Sequence, residues 1–196
     1  MAETLLVQAL LTLEEAKVYL KRTTTTDDEV ITRLINYATG QIEQFTDRQL
    51  KLRTYTGGGA IRFSGRGVNE VAFPQFPIST VDMIEVLDGT GAVIRELNIT
   101  GWRASARGML YLPNDGFERG YLNHVYTGAA GISTSSAEWK ALTGICLRWV
   151  QVMFQDWHNG IGRGVAMTVG GNSVSLIDAP MPKDIRSALL PFARLM

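Results

Sequence analysis

The chain is poor in the side chains that usually do chemistry. Its 196 residues include one cysteine, Cys146, and two histidines, His124 and His158. One thiol cannot close an internal disulfide, and a reducing compartment is the simpler setting. Neither a metal-ligand spacing nor a Cys–His pair can be assembled from three such scattered positions, so no catalytic, cofactor-binding or metal-ligating residue is assigned. The expected role for each histidine is a helix cap or a surface position. An excess of one charge is missing as well. Lys plus Arg is 19 and Asp plus Glu is 19, for a formal net charge of +0. A dedicated nucleic-acid binder carries a basic surplus, because phosphate neutralisation supplies much of its affinity. No apolar run is long enough to span a bilayer, and Met1-Ala2-Glu3-Thr4 lacks the positive start of a signal peptide. The expectation is a soluble chain made in the cytoplasm, with no membrane partner and no cofactor.

What is present points to packing and contact. Hydrophobic residues make up 45% of the chain and charged residues 19%. The first is enough for a core. The second is below the usual share of about a quarter, which implies surface meant to be covered. Arginine outnumbers lysine 14 to 5, and there are 7 Met and 4 Trp. Arginine, methionine and aromatic residues are enriched at protein interfaces and lysine is depleted, because the planar guanidinium makes directed bonds and is weakly hydrated.

Three segments carry a capping-box signal, in which a Ser or Thr and a Glu three residues on satisfy each other's backbone N–H groups. Thr12-Leu13-Glu14-Glu15 predicts a short helix to about residue 22. Thr26-Asp27-Asp28-Glu29 predicts a second to about residue 46. Ser135-Ser136-Ala137-Glu138 predicts a third to about residue 158. In the second, Ile31, Leu34, Ile35, Ala38, Ile42 and Phe45 form one apolar stripe. In the third, Trp139, Leu142, Ile145, Cys146, Trp149, Val150, Met153, Phe154 and Trp157 cover more than one face, so that helix is buried on several sides. The tryptophan spacing reads as core or subunit interface, not as a ligand cage. His158-Asn159-Gly160 stops the third helix. A fourth, short helix begins near Pro182, with Ile185, Ala188 and Leu189 as its apolar side, and Pro191 ends it.

Between the second and third helices the periodicity changes. Residues 50–130 hold short β-like runs at 50–55, 60–63, 68–73, 81–87, 93–99, 109–112 and 122–127. Gly57-Gly58-Gly59, Asp88-Gly89-Thr90-Gly91 and Asn114-Asp115-Gly116 act as turns. The fold class expected is α+β: about four α-helices as a core (1–49 and 132–196), with a β-rich insertion (50–131). Residues 159–181 form a long glycine-containing connection that reads as a hairpin or a mobile loop. Neither Gly57–Gly59 nor Gly160-Ile161-Gly162-Arg163-Gly164 lies between a strand and a helix, so neither fits a phosphate loop. Asp27-Asp28-Glu29 sits in a first helical turn, where it complements the helix dipole.

The last residues are apolar beyond a helix-breaking proline. Leu189, Leu190, Phe192, Leu195 and Met196, with Arg194 as a directed donor, are the candidate interface to a partner or to a second copy. The competing reading folds this tail back on its own subunit.

Several stretches resemble, in order along nearly the whole chain, the head–tail connector (adaptor, or head-completion) proteins of long-tailed bacteriophages. Leu13-Glu14-Glu15-Ala16-Lys17-Val18-Tyr19-Leu20 is similar to the family's "LEEAK-YL" helix. Asp27-Asp28-Glu29 looks like its acidic helix start, and Glu43-Gln44-Phe45-Thr46-Asp47-Arg48-Gln49-Leu50 like its "EQ-T-R-L" ending. Phe76-Pro77-Ile78-Ser79-Thr80-Val81 is similar to "P-I-x-S-V". Val125-Tyr126-Thr127-Gly128-Ala129-Ala130-Gly131 is similar to "V-Y-T-A-G". Leu189-Leu190-Pro191-Phe192-Ala193-Arg194 is similar to "LL-P-(Y/F)-R". The chain departs from the pattern at Gly128-Ala129-Ala130 and at Phe192-Ala193-Arg194. The resemblance implies a structural, non-enzymatic virion protein made in the host bacterial cytoplasm. It implies a ring, of about twelve copies by the family's pattern, beneath the portal protein. That ring extends the DNA channel and offers a surface to the stopper, the tail-completion protein or the tail. DNA would pass without sequence-specific binding, in keeping with a neutral chain. Competing readings are another neck component such as a stopper or tail-completion protein, a DNA-binding regulator, and a hydrolase with an unrecognised site.

Overall fold

The structure, a computed structural model, describes residues 4–106, 108–159 and 181–193. It is α+β. Helices α1 (Leu13–Leu20) and α2 (Asp28–Thr46) precede a run of strands, and α3 (Ala137–His158) and α4 (Lys183–Leu189) follow it. The strands are β1 (Arg53–Tyr55), β2 (Ile61–Gly65), β3 (Glu70–Ala72), β4 (Ile78–Leu87), β5 (Val93–Glu96), β6 (Arg103–Ala104), β7 (Met109–Tyr111) and β8 (Gly120–Ala130). The chain forms two compact units. One takes the chain up to Asp47 and again from Ser135, and the other is Arg48–Thr134.

In the helical unit the expected stripe of α2 is buried as far as Ile42, and Phe45 at its end is half-buried. Ile31, Leu34, Ile35, Ala38 and Ile42 are all inaccessible to solvent. They meet α3, whose Leu142, Cys146, Trp149, Val150 and Met153 are buried, and Tyr37 packs edge-on against Trp149 at 6.0 Å. Polar side chains on α2 tie down the segment before α1. Asn36 accepts from the Leu6 N–H and donates to the Thr4 carbonyl, and Thr39 accepts from the Leu10 N–H.

The helix starts differ in instructive ways. At α1 the capping box forms: Thr12 accepts from the Glu15 N–H, and Glu15 accepts from the Thr12 N–H. At α2 it does not. Asp27, not Thr26, is the cap, and it makes no side-chain cap bond. The carboxylates there have cationic partners instead. Asp27 lies 3.7 Å from Arg22, Asp28 2.7 Å from Lys17 and Glu29 2.6 Å from Arg33. The Lys17–Asp28 pair joins α1 to α2 across a nearly buried lysine. At α3 the cap is Ser136, one residue later than the box predicts, and it accepts from the Trp139 N–H.

In the β unit the main sheet is built on β8. The main sheet runs β1-β8-β4-β5, with β2 also paired to β8, and all of these pairings are antiparallel. A second sheet runs β3-β7-β6. β6 has no counterpart among the expected strands, since two residues carry no readable alternation. Val71, Phe73, Ile84, Leu110, Phe117 and Tyr126 belong to one core cluster. Its rings meet edge-on, as for Phe63–Phe73 at 5.4 Å and Phe73–Tyr126 at 4.6 Å. The Tyr126 hydroxyl is shared between the carbonyls of Thr80 and Ala129. Gly128 permits this: a Cβ there would lie 2.4 Å from the Thr80 oxygen and 2.7 Å from the Tyr126 hydroxyl.

His124 is a correction to the expected cap or surface role. It is completely buried, stacked on Phe63 at 5.2 Å and edge-on to Phe117 at 5.7 Å. Its Nδ1 is 3.0 Å from the Asn123 side-chain oxygen, and its Nε2 has no hydrogen-bond partner among the described residues. That oxygen also accepts the Gly65 N–H, so Nδ1 is the protonated nitrogen of a neutral ring. Burial pushes His124 below its ordinary 6.5; the Glu118 carboxylate opposes this and Arg95 adds to it.

Two predictions follow from these cores. Leu34→Ala should lower stability by about 2–5 kcal/mol and Trp149→Ala by about 3–5 kcal/mol; a thermal melt unmoved by either would remove the α2–α3 packing. For His124 the folded chain resists a proton that the unfolded chain accepts below 6.5. Stability is therefore complete above that value and declines as pH falls toward the depressed folded value. Urea unfolding from about pH 7.5 to 5 should show this decline, and His124→Gln should flatten it. Equal slopes for the two proteins would mean that another group titrates.

Candidate assembly surfaces

The groups that could react lie in different surroundings. Cys146 lies inside the helical unit, where burial pushes its thiol up to about 12, so little thiolate exists near neutrality. His158 is exposed at the end of α3, its ring parallel to Phe154 at 6.2 Å. His124 is enclosed in the other unit. Gly57–Gly59 forms a single 3-10 turn between β1 and β2, with no helix after it. The Gly160–Gly164 run, like most of the 159–181 connection, lies outside the described residues. Among the described residues no group of three or more His, Cys, Asp or Glu side chains could hold a metal ion.

Many arginines are engaged within their own unit. Arg22 sits 5.1 Å over Phe154, Arg33 pairs with Glu29, and Arg186 sits 5.4 Å over Phe45. Arg148 pairs with Asp184, linking α3 to α4. In the β unit, Arg48 donates to the Phe76 carbonyl and stacks 3.9 Å over its ring. Arg95 forks between Asp115 and Glu118, and this guanidinium holds the Asp115 carboxyl down at about 2. The arginine surplus thus serves packing inside the chain as well as any surface toward a partner.

The candidate interface near the end of the chain divides. Leu189 is completely buried on α4 beside Ile185, so it belongs to the subunit's own core and is not available to a partner. Leu190 opens a 3-10 turn that runs to Phe192, and it is 60% exposed; Phe192 is half-buried. Arg194, Leu195 and Met196 lie outside the described residues. The helix does not stop cleanly at Pro191. It ends at Leu189, and the proline sits inside the 3-10 turn, where its missing N–H is tolerated.

Other exposed apolar residues were not picked out by sequence pattern. In the helical unit Val18 is 77% exposed. With Tyr19, Leu147, Glu14 and Glu15 it lines an open depression of about 450 Å³ between α1 and α3. The buried residues of α1 are Ala16 and Lys17. The available signal was the i, i+4 pair Glu14-Val18, which is too short for a periodicity test. In the β unit Tyr121 is 86% exposed at the start of β8. Val93 and Ile94 stand on β5, the edge strand of the main sheet, and both are exposed.

No protein-family profile matches the chain, and no curated protein matches it. Solved structures do. A chain in the neck of an empty gene transfer agent (GTA) particle, computed with C6 symmetry, is 15% identical with a TM-score of 0.62. Chains in the virion of the native GTA particle, and in the neck of that particle computed with C12 symmetry, are each 16% identical with a TM-score of 0.58. Each match covers 100% of this chain and 95% of the other. The chain therefore shares its fold, from end to end and across both units, with chains found in gene transfer agent particles, two of them seen in the neck.

Proposed function

We propose that this chain is a structural neck subunit of a tailed-phage-like particle, a head–tail connector that forms a ring beneath the portal. In this role the ring extends the DNA channel and presents a surface to the next neck protein or to the tail. The observation that carries the reading is the whole-length likeness of fold to chains in neck structures solved with sixfold and twelvefold symmetry. The sequence resemblance to phage connectors points the same way independently. A neutral chain suits a passage through which DNA must slide, since strong phosphate binding would retard it. The work is done by contact: no catalysis and no cofactor enter it.

Negative-stain imaging of the purified chain, alone and mixed with portal protein, tests the ring. Rings on the portal are expected; single particles that never associate with it would end the connector reading. The segment after α4 is the proposed portal contact, led by the exposed Leu190 and the half-buried Phe192 and continuing to Arg194, Leu195 and Met196. Deleting Pro191–Met196 spares the buried Leu189 and Ile185. It should leave the melting temperature nearly unchanged and abolish co-sedimentation with portal or capsids. A truncated chain that still decorates capsids would move the docking site elsewhere. Tight, sequence-selective DNA binding in a gel shift at physiological salt would instead favour a regulator.

A further inference from the structure

We propose that the cleft between the end of α1 and the end of α3 is a docking site for an acidic side chain, an aspartate or glutamate carboxylate, of a partner protein. The proposal goes beyond the ring reading and does not rest on it. The cleft lies within the helical unit and has a volume of about 310 Å³. One side is built by the way α1 ends. Lys21 closes that helix in the left-handed conformation, with φ 55°. Its N–H donates to the Val18 carbonyl, and the Arg22 N–H donates to the Lys17 carbonyl. This closure satisfies carbonyls of the last turn and leaves two cationic residues in succession at the helix end. The last turns of α3 form the other side, with Gln151, Gln155, His158 and Asn159. Tyr19 and Phe154 supply its aromatic surface.

The lining is rich in donors and poor in acceptors of negative charge. Lys21 and Arg22 bring full positive charges, and no carboxylate is among the lining residues. The Lys21 ammonium and the side-chain amides of Gln151, Gln155 and Asn159 make no hydrogen bond among the described residues. Arg22 lies 5.1 Å over the Phe154 ring and 3.7 Å from Asp27. That second distance is longer than a hydrogen bond, so Asp27 offsets part of the charge and leaves the guanidinium donors open. The His158 ring lies parallel to the same Phe154 ring at 6.2 Å. A recess of this chemistry takes a carboxylate on an aliphatic stem. The ammonium and guanidinium bind its oxygens, the amides donate to the remaining lone pairs, and the methylenes rest against the rings. A phosphate meets the same donors, but a chain of zero net charge gives a nucleic acid little long-range attraction. The contact is half-exposed and held by charge, so it is weak and sensitive to salt.

An acidic peptide gives the test. Labelled hexaglutamate is titrated with the full chain and followed by fluorescence anisotropy at about 20 mM salt, with hexaglutamine as the uncharged control. Hexaglutamate should bind, hexaglutamine should not, and raising the salt to about 300 mM should weaken binding about tenfold or more. Lys21→Glu and His158→Glu each place a carboxylate in the cleft at an exposed position. Each should weaken binding about fivefold or more with an unchanged melt. In isotope-edited NMR spectra the side-chain amide signals of Gln151, Gln155 and Asn159 should move during the titration, while those of Asn98 and Asn114 in the β unit stay. No binding at low salt overturns the proposal. So does equal binding of hexaglutamine, indifference to both substitutions, or cleft amide signals that stay in place. A hexathymidylate that binds more tightly than hexaglutamate also overturns it, in favour of a nucleic-acid phosphate.

Discussion

The β unit depends on a charge held out of water. Arg48 is only 7% exposed, yet its guanidinium is permanently ionised, so the fold must give it acceptors. It finds the Phe76 carbonyl and the face of the Phe76 ring, which fixes the start of the chain's β excursion against the turn before β4. The next residues complete the clasp. Gln49 takes the Gln75 side-chain oxygen on its backbone N–H, and its own side-chain oxygen accepts the Tyr55 hydroxyl. Leu50 accepts the Ile132 N–H and Pro77 accepts the Gly131 N–H, which brings the far end of β8 to the same place. Entry and exit of the β unit are thereby closed on each other. Replacing Arg48 by a shorter side chain would leave that closure without its central donor.

The helices were legible because their signals are local and redundant. The stripe of α2 needs only its own residues, and every member from Ile31 to Ile42 is buried. The caps were less legible because a capping box competes with tertiary partners. Thr26 and Glu29 have the right spacing, but Glu29 reaches Arg33 and the neighbouring aspartates reach Arg22 and Lys17, and the helix starts elsewhere. In the β unit, strand existence was readable and strand extent was not. β8 runs on to Ala130 through Gly128, because the glycine is required by the approach of Thr80 and Tyr126, a contact between residues 46 apart. No local pattern contains that information. The same holds for His124, whose burial is decided by Phe63 and Phe117 on other elements.

The division of side chains between inside and outside is the functional statement. Cys146 is enclosed in the helical core and His124 in the aromatic cluster, while His158 is exposed at the end of α3. Several large side chains are left out: Val18, Tyr121 and Leu190 stand exposed at 77%, 86% and 60%. An enzyme arranges the reverse, with titratable groups converging on a cleft. Under the proposed function, exposed apolar residues of this kind would be covered by other proteins.

The motifs that resemble phage connectors can be sorted the same way. Thr46, Arg48 and Leu50 of the "EQ-T-R-L" stretch are buried, as are Ile78 and Val81 of the strand entry and Tyr126 of the later strand. In the α1 motif, Ala16 is fixed by burial, Lys17 by Asp28 and Glu15 by the cap it closes. The position that "LEEAK-YL" leaves open is Val18, which is 77% exposed. A motif constrained by packing reports the fold, and it does so at 15–16% identity to chains of that same fold. Partner choice is carried by residues that packing leaves free. In this chain exposed apolar residues lie on α1, along β5 and after α4, and under the proposed function differences between such surfaces would distinguish one neck protein from another.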